Sequence, residues 1–324
     1  MATLRLAWRM QRWELMIIGL SVIAAAAAMV WVTNEITGLR VLRDACLADQ
    51  PVLCDAIVAR AYAPTQDAQM LLRIAELAPF ALGIILGAPL IAREVDSGTA
   101  QLAWTLSRSR ARWLIGRVGF VALVVAVCLG IMAVTSEMAA AVLDPERNLA
   151  RDFNFADSRG WILVARGLFV LTVAVLVGAV IGRVLPAFIT AILLSAALVI
   201  GIGVVDGALL RAEARVVAMD PQSGAGEMGD HYVDGGLQLT DGTVVSWDEV
   251  ASRGIAANYG DERGGRFATE ADMAAGDAIG HEVAWMVPGE RYGAVTARRG
   301  AMLGALGLMV LAGTGVVVER RRPL

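Results

Sequence analysis

The chain has 324 residues, 57% of them hydrophobic and 18% charged, with a formal net charge of −3. A soluble domain of this length carries roughly 45–50% apolar residues, so this composition, with a mean hydropathy of +0.62, excludes a soluble globular protein and indicates an integral membrane one. All 28 basic residues are arginine; without a lysine there is no Walker A phosphate loop and no Schiff-base nucleophile, which excludes a conventional P-loop ATPase and that class of enzyme.

Residues 1–13 predict an interfacial amphipathic helix: Arg5, Arg9 and Arg12 share one face, while Leu6, Met10 and Trp13 share an adjacent one. Either an anchor or a partner contact fits that pattern. A cleavable signal peptide fits less well, because the following apolar run is longer than a signal core and Trp31-Val32-Thr33 is a poor cleavage site. The first span is expected over Glu14–Thr33 and the second over Met70–Ala92, with an outer loop over 34–69 between them. That loop holds Cys46 and Cys54, expected to pair as a disulfide in an oxidising compartment. Pro79 is expected to kink the second span and Pro89 to mark the approach to its cytoplasmic end.

The stretch from Pro89 to Arg117 is a charged, amphipathic connection between two apolar spans, a build that suits a partner. Arg93, Arg108, Arg110, Arg112 and Arg117 place it in the cytoplasm. The third span is expected over Leu114–Val142, where Cys128 reads as a small apolar filler. A short loop of mixed charge follows to Gly160. The fourth span is expected over Trp161–Gly182, and the fifth over Leu185–Val205 after a tight turn at Arg183, with Pro186 at its start. The small-residue pairs Gly83-x-x-x-Gly87 and Gly300-x-x-x-Gly304 permit close helix packing, although 34 glycines make such pairs common by chance.

Residues 207–298 form a segment long enough to fold alone, expected as a small extracellular α/β domain between helices five and six. It carries 15 acidic residues against 7 arginines, which sets the acidic balance of the chain. Alternation from Leu237 to Trp247 around Asp241-Gly242 predicts a hairpin; Gly254 to Gly280 reads as loop or short helix. His231, near Asp230 and Asp234, and His281 lack a recognised ligand spacing, so no metal is expected. The sixth span is expected over Gly300–Val318, within a C-terminal unit of residues 299–324 that ends in Arg320, Arg321 and Arg322. The even number of spans and these basic ends place both termini in the cytoplasm of a multi-pass bacterial cell-membrane protein, with residues 14–206 holding the first five helices.

Glu76, Glu137 and Arg166 lie inside or at the margins of spans, all expected in the outer leaflet. They read either as the acidic lining of an exit vestibule on the substrate pathway, or as a structural ion pair of Glu76 or Glu137 with Arg166.

The order of residues in the cytoplasmic connection carries a resemblance. Ala92-Arg93-Glu94 is followed by Asp96, Gly98-Thr99, Leu102-Ala103-Trp104-Thr105, and Arg110 to Trp113; Trp8 to Arg12 and Pro288 to Tyr292 flank the first and last spans. This layout resembles the permease subunit of ABC-2 type, type V exporter-like transporters, of the kind common in actinobacteria. The resemblance implies an all-α membrane fold of six helices, with a cytoplasmic coupling helix in the 93–113 loop seated in a cleft of a separate ABC ATPase subunit. ATP and Mg would bind that partner, and no cofactor would bind this chain. Glu94 and Asp96 would cap or salt-bridge, Gly98, Thr99, Leu102 and Trp104 would engage the ATPase, and Arg108 with Arg110 and Arg112 would meet the ATPase or anionic lipid. Two permease copies with two ATPases are implied, a related heterodimer being the other arrangement. Export of a hydrophobic or amphipathic compound follows, with membrane lipid and no nucleic acid as further partners. The alternative is a sensing or self-immunity protein of the same type, whose extracellular domain binds a ligand such as an antimicrobial peptide. A membrane-embedded enzyme is disfavoured because His281-Glu282 is not continued as H-E-x-x-H and no G-x-S-x-G is present.

Overall fold

The computed structural model describes residues 2–49, 54–98, 109–220, 224–225, 229–252 and 280–320, leaving aside the side chains of residues 2–12, 14, 47–49, 54–55, 58, 111, 220, 224–225 and 251. The chain divides into two units, one comprising Met1–Glu146, Phe155–Ile200 and Thr296–Leu324 and the other Arg147–Asn154 and Gly201–Val295.

The first unit is helical. Helix α1 spans Ala2–Asp49, α2 Cys54–Asp96, α3 Arg110–Leu143, α4 Gly160–Ile181, α5 begins at Val184 and runs to Glu213, and the last long helix begins at Tyr292 and ends at Arg320. Among the described residues six helices are long and apolar enough to cross a membrane, as many as expected, so the chain is a multi-pass membrane protein. Their core is contiguous: Leu15, Ile18, Val22 and Met29 of α1 meet Leu82, Leu86 and Leu90 of α2, Val121, Val125 and Leu129 of α3, and Leu163, Leu171 and Val175 of α4. By contrast α5 exposes Leu185, Ile189, Ile192, Leu193 and Ile200, the expected face of a helix solvated by acyl chains.

Two packing features follow from small residues. A Cβ on Gly83 would lie 2.8 Å from Val170 Cγ1 and 2.9 Å from the Leu171 nitrogen, and one on Gly87 would lie 2.8 Å from the Ala174 Cβ. The Gly83-x-x-x-Gly87 pair is thus the seat of α4 on α2, which lets two backbones approach where larger residues would separate them. In the second pair only Gly300 has a close neighbour, the Trp161 ring; Gly304 faces open space. Gly182 takes a left-handed conformation (φ 68°) and its N–H reaches Gly178 O, closing α4 before α5 starts. The tight turn expected at Arg183 is present, with Pro186 in the first turn of α5, where its missing N–H costs nothing.

The first two helices differ from expectation. Residues 2–13 run into α1 without a break, so the expected separate helix over 1–13 is the first part of a 48-residue rod, about 72 Å long at 1.5 Å per residue. The outer loop expected over 34–69 is mostly helix as well, because α1 continues to Asp49 and α2 starts at Cys54. The reason is periodicity: charged residues end the apolar run after Thr33, but Val32, Ile36 and Leu39 remain buried at helical spacing, as do Ala68, Leu72 and Ala75 on α2. Pro64, Pro79 and Pro89 all lie inside α2, which continues through them.

The second unit contains the small α/β fold. Among the described residues five strands, β1 (Arg215–Asp220), β2 (Gly224–Ala225), β3 (His231–Leu239), β4 (Val244–Ser246) and β5 (Gly280–Val287), form an antiparallel sheet in the order β2-β1-β5-β3-β4. A short helix, α6 (Trp247–Ser252), follows β4; the last long helix is therefore α7 (Tyr292–Arg320). Leu237, Val245 and Val250 make one small core, while Leu210, Val287 and Val295 with Phe153 make another. The Asp241-Gly242 hairpin is present: Gly242 has φ 86°, Leu239 and Thr243 close the turn at 2.8 Å, and Asp241 Oδ1 accepts from Thr243 N at 2.8 Å. Expectation missed that residues 147–154 of the short loop belong to this unit, and that the segment at His281 is a strand. The expected loop at 254–280 falls almost wholly outside the described residues. Among the described residues no cluster of metal-ligating side chains occurs.

Candidate functional site

Two groups of charged side chains at opposite ends of the helical unit concentrate the chemistry. The first is the stem of the connection between α2 and α3. Helix α2 ends in a left-handed glycine, Gly98 (φ 70°), with Ser97 N donating to Arg93 O at 3.0 Å and Gly98 N to Val95 O at 3.2 Å. Helix α3 starts with Ser109 as its N-cap, whose hydroxyl accepts from Arg112 N at 3.2 Å. Between these caps the connection itself, with Thr99, Leu102, Trp104 and Arg108 and the helix expected there, lies outside the described residues.

The two ends of the stem are tied together. Glu94, in the last turn of α2, is buried and forms an ion pair with Arg117 of α3, whose guanidinium carbon also lies 5.6 Å from the centre of the Trp113 ring. Asp96 is exposed at the end of α2. One turn before Trp113, Arg110 donates to Val318 O at 3.3 Å and Glu319 O at 3.1 Å, so a cation sits on the unsatisfied carbonyls that end α7. Three spans are therefore joined around this connection through side chains that also flank it in sequence. The salt bridge available to Glu94 exists, and its partner is an arginine that sequence reading used only to assign topology.

At the other end of the helices the expected ion pairs are replaced by different ones. Arg166 of α4 pairs with Asp157 at 2.6 Å, and Arg299 of α7 pairs with the same Asp157 oxygen at 2.6 Å. Glu137 of α3 pairs with Arg159 at 3.6 Å. Arg159 is completely buried at the start of α4 and is the largest fully buried side chain among the described residues, so its charge must be held by neighbours. Neither Glu137 nor Glu76 is within ion-pair distance of Arg166 among the described residues. Glu76 projects from an exposed face of α2 and has no ion pair among the described residues. Asp157 lies in the loop just before α4, and its short side chain reaches Arg166 from there without crossing between helices.

Asp157, Arg159 and Arg299 were not singled out from the sequence. A usable signal did exist for one of them: Arg159 is a second arginine at the head of an apolar span, seven residues before Arg166, although it caps α4 in an extended conformation and does not share its helical face. Cys46 lies near the end of α1 and Cys54 begins α2, but the side chain of Cys54 falls outside the described residues, and with it their pairing; Cys128 is a free, buried cysteine in α3.

A family model described as ABC-2 membrane transporter related matches residues 18–206, more than half of the chain and all of α2, α3 and α4. No curated protein matches the chain, and no solved structure does.

Proposed function

The chain belongs to the ABC-2 membrane transporter related family, and from that premise we propose that it is the permease subunit of an ATP-driven exporter whose ATPase is a separate polypeptide. The observation that carries this reading is the stem: Glu94–Arg117 locks α2 to α3, and Arg110 holds the end of α7. A force applied to the connection between α2 and α3 is thereby passed to three spans at once, which is what coupling to nucleotide binding requires. In this reading the stem faces the cytoplasm of a bacterial cell with both chain ends, and Trp104 and Leu102 form an apolar anchor in the ATPase cleft. Thr99 and Gly98 set the turn into the coupling helix, and Asp96 and Arg108 supply its charged rim. ATP and Mg bind in the partner, and this chain needs no cofactor.

Two permeases act with two ATPases, and the sheet unit of residues 201–295 lies outside the cell, where the Cys46–Cys54 disulfide forms. The Asp157–Arg166–Arg299 group and the Arg159–Glu137 pair then close the outer end of the pathway, with exposed Glu76 on its margin. A hydrophobic or amphipathic cargo is supported by the apolar composition of the spans. The test is purification of the tagged chain from its native membrane, with ATP hydrolysis measured beside a Gly98→Pro, Trp104→Ala variant. An ATPase present at about one per permease, and lost or unstimulated in the variant, supports the reading. No nucleotide-binding partner, with parental behaviour of the variant, overturns it and moves attention to ligand binding by the sheet unit.

A further inference from the structure

Where α1 and α2 continue past the apolar core, together with the end of α3, they enclose a cavity of about 130 Å³. Apart from the Thr65 hydroxyl, its walls are of two kinds. Ile36, Leu39, Ile57 and Leu143 are apolar, and Arg40 and Arg43 are cationic. Arg40 is fixed in place by a hydrogen bond from Nη2 to Leu143 O at 3.0 Å; a guanidinium has five N–H donors, and among the described residues Arg40 has no carboxylate partner. Arg43 meets only the adjacent, exposed Asp44 at 3.1 Å among the described residues, with its side chain about half exposed. The floor rests on the buried group of Val32, Ile36 and Ala68.

The depth of this cavity selects its occupant. Arg40 follows Leu15, the first buried apolar residue among the described side chains of α1, by 25 positions, which is about 37 Å of helix. A hydrocarbon core is about 30 Å thick and a bilayer with headgroups about 40–45 Å. Arg40 and Arg43 therefore reach the headgroup layer of the leaflet opposite the α2–α3 stem. We propose that this cavity binds the phosphate of an anionic phospholipid, with Arg40 and Arg43 as its ligands and the start of the acyl chains on Ile36, Leu39 and Leu143. The volume fits this: a cavity of about 150 Å³ admits a guest the size of benzene, enough for a phosphate and its ester carbons and too little for an acyl chain, which must continue along the outside of the helices. Guanidinium groups bind phosphate through charge-assisted, paired hydrogen bonds. The inference rests on the membrane placement of the chain and is independent of any ATPase.

The test is native mass spectrometry of the detergent-purified full chain titrated with phosphatidylglycerol, phosphatidylethanolamine and glycerol 3-phosphate. One phosphatidylglycerol should bind per chain above the nonspecific series, more tightly than phosphatidylethanolamine. Arg43→Gln should weaken it about fivefold, in line with about 1 kcal/mol per basic residue at an anionic surface, and Arg40→Gln with Arg43→Gln more strongly. Among the described residues Arg43 pairs only with exposed Asp44, so its single variant keeps the result readable if the double variant misfolds. Unchanged phosphatidylglycerol binding in Arg43→Gln overturns the proposal. Competition by glycerol 3-phosphate at the same concentration as the lipid overturns the lipid source and leaves a soluble phosphate site.

Discussion

Replacing Asp157 with Asn removes the carboxylate that Arg166 and Arg299 share, each at 2.6 Å, while leaving the shape of the side chain almost unchanged. The size of the effect follows from how much water can take over. The Arg166 side chain is 8% exposed, so its charge cannot be rehydrated in place, whereas Asp157 is 41% exposed and already partly screened. Breaking a fully buried pair costs roughly 3–5 kcal/mol and an exposed one about 0–1 kcal/mol. Asp157→Asn falls between, at about 2–3 kcal/mol, because one of its two partners is buried and the other is 21% exposed. At about 2–4 °C per kcal/mol for chains of 150–250 residues, this lowers Tm by about 4–12 °C, with the low end favoured for a longer chain. The assay is thermal unfolding in detergent followed by tryptophan fluorescence, since Trp161 lies against Gly300 beside the network. Arg299→Gln should lower Tm less, because Asp157 then keeps its buried partner. A Tm within about 1 °C of the parent for Asp157→Asn would refute the assignment of Asp157 as the shared counter-charge.

Other outcomes follow from the same kind of reasoning. Gly83→Ala puts a Cβ 2.9 Å from the Leu171 backbone nitrogen, an overpacking that should destabilise by about 1–3 kcal/mol; a melting curve equal to the parent would mean that α2 and α4 are not seated there. Glu94→Ala leaves the mostly buried Arg117 without its carboxylate and should lower thermal stability, while the exchanged pair Glu94→Arg, Arg117→Glu restores part of it; absence of any rescue would argue against a direct pair. Gly242→Val forces a β-branched residue to φ 86° and should cost about 1–2 kcal/mol, read as faster hydrogen exchange across β3 and β4; parental protection would contradict the turn. Peptide mapping under non-reducing conditions should recover Cys46 joined to Cys54, and recovery of both as free thiols in protein from an oxidising compartment would dismiss the disulfide.

What the sequence reveals of this molecule divides by the physics involved. Spans announce themselves through continuous apolar length, so all six were placed, and the Asp-Gly hairpin was legible because only a few residue types accept its backbone angles. Helix ends were less legible where the signal switches from hydrophobicity to periodicity: α1 and α2 outrun their apolar stretches because Ile36, Leu39, Ala68 and Leu72 keep a buried face among charged residues. Ion pairs were the least legible. Arg166 was recognised as needing a partner, but which acid supplies it depends on where a loop folds back, and Asp157 is unremarkable in sequence. Strand β5 escaped because His281 and Glu282 drew attention as a failed catalytic motif, although Val283, Ala284, Met286 and Val287 are its buried residues.

The length of α1 has a mechanical consequence. A single helix of 48 residues is a lever arm: pivoted at the stem end, a tilt of about 10° would carry its far tip about 12 Å along the plane of the membrane, given 1.5 Å of rise per residue. A motion too small to open a pore within the bilayer would thus be magnified at the far end of the helix. A modest rocking of this rod would squeeze or release the tip it forms with α2, converting a small angular stroke into a large displacement outside the membrane.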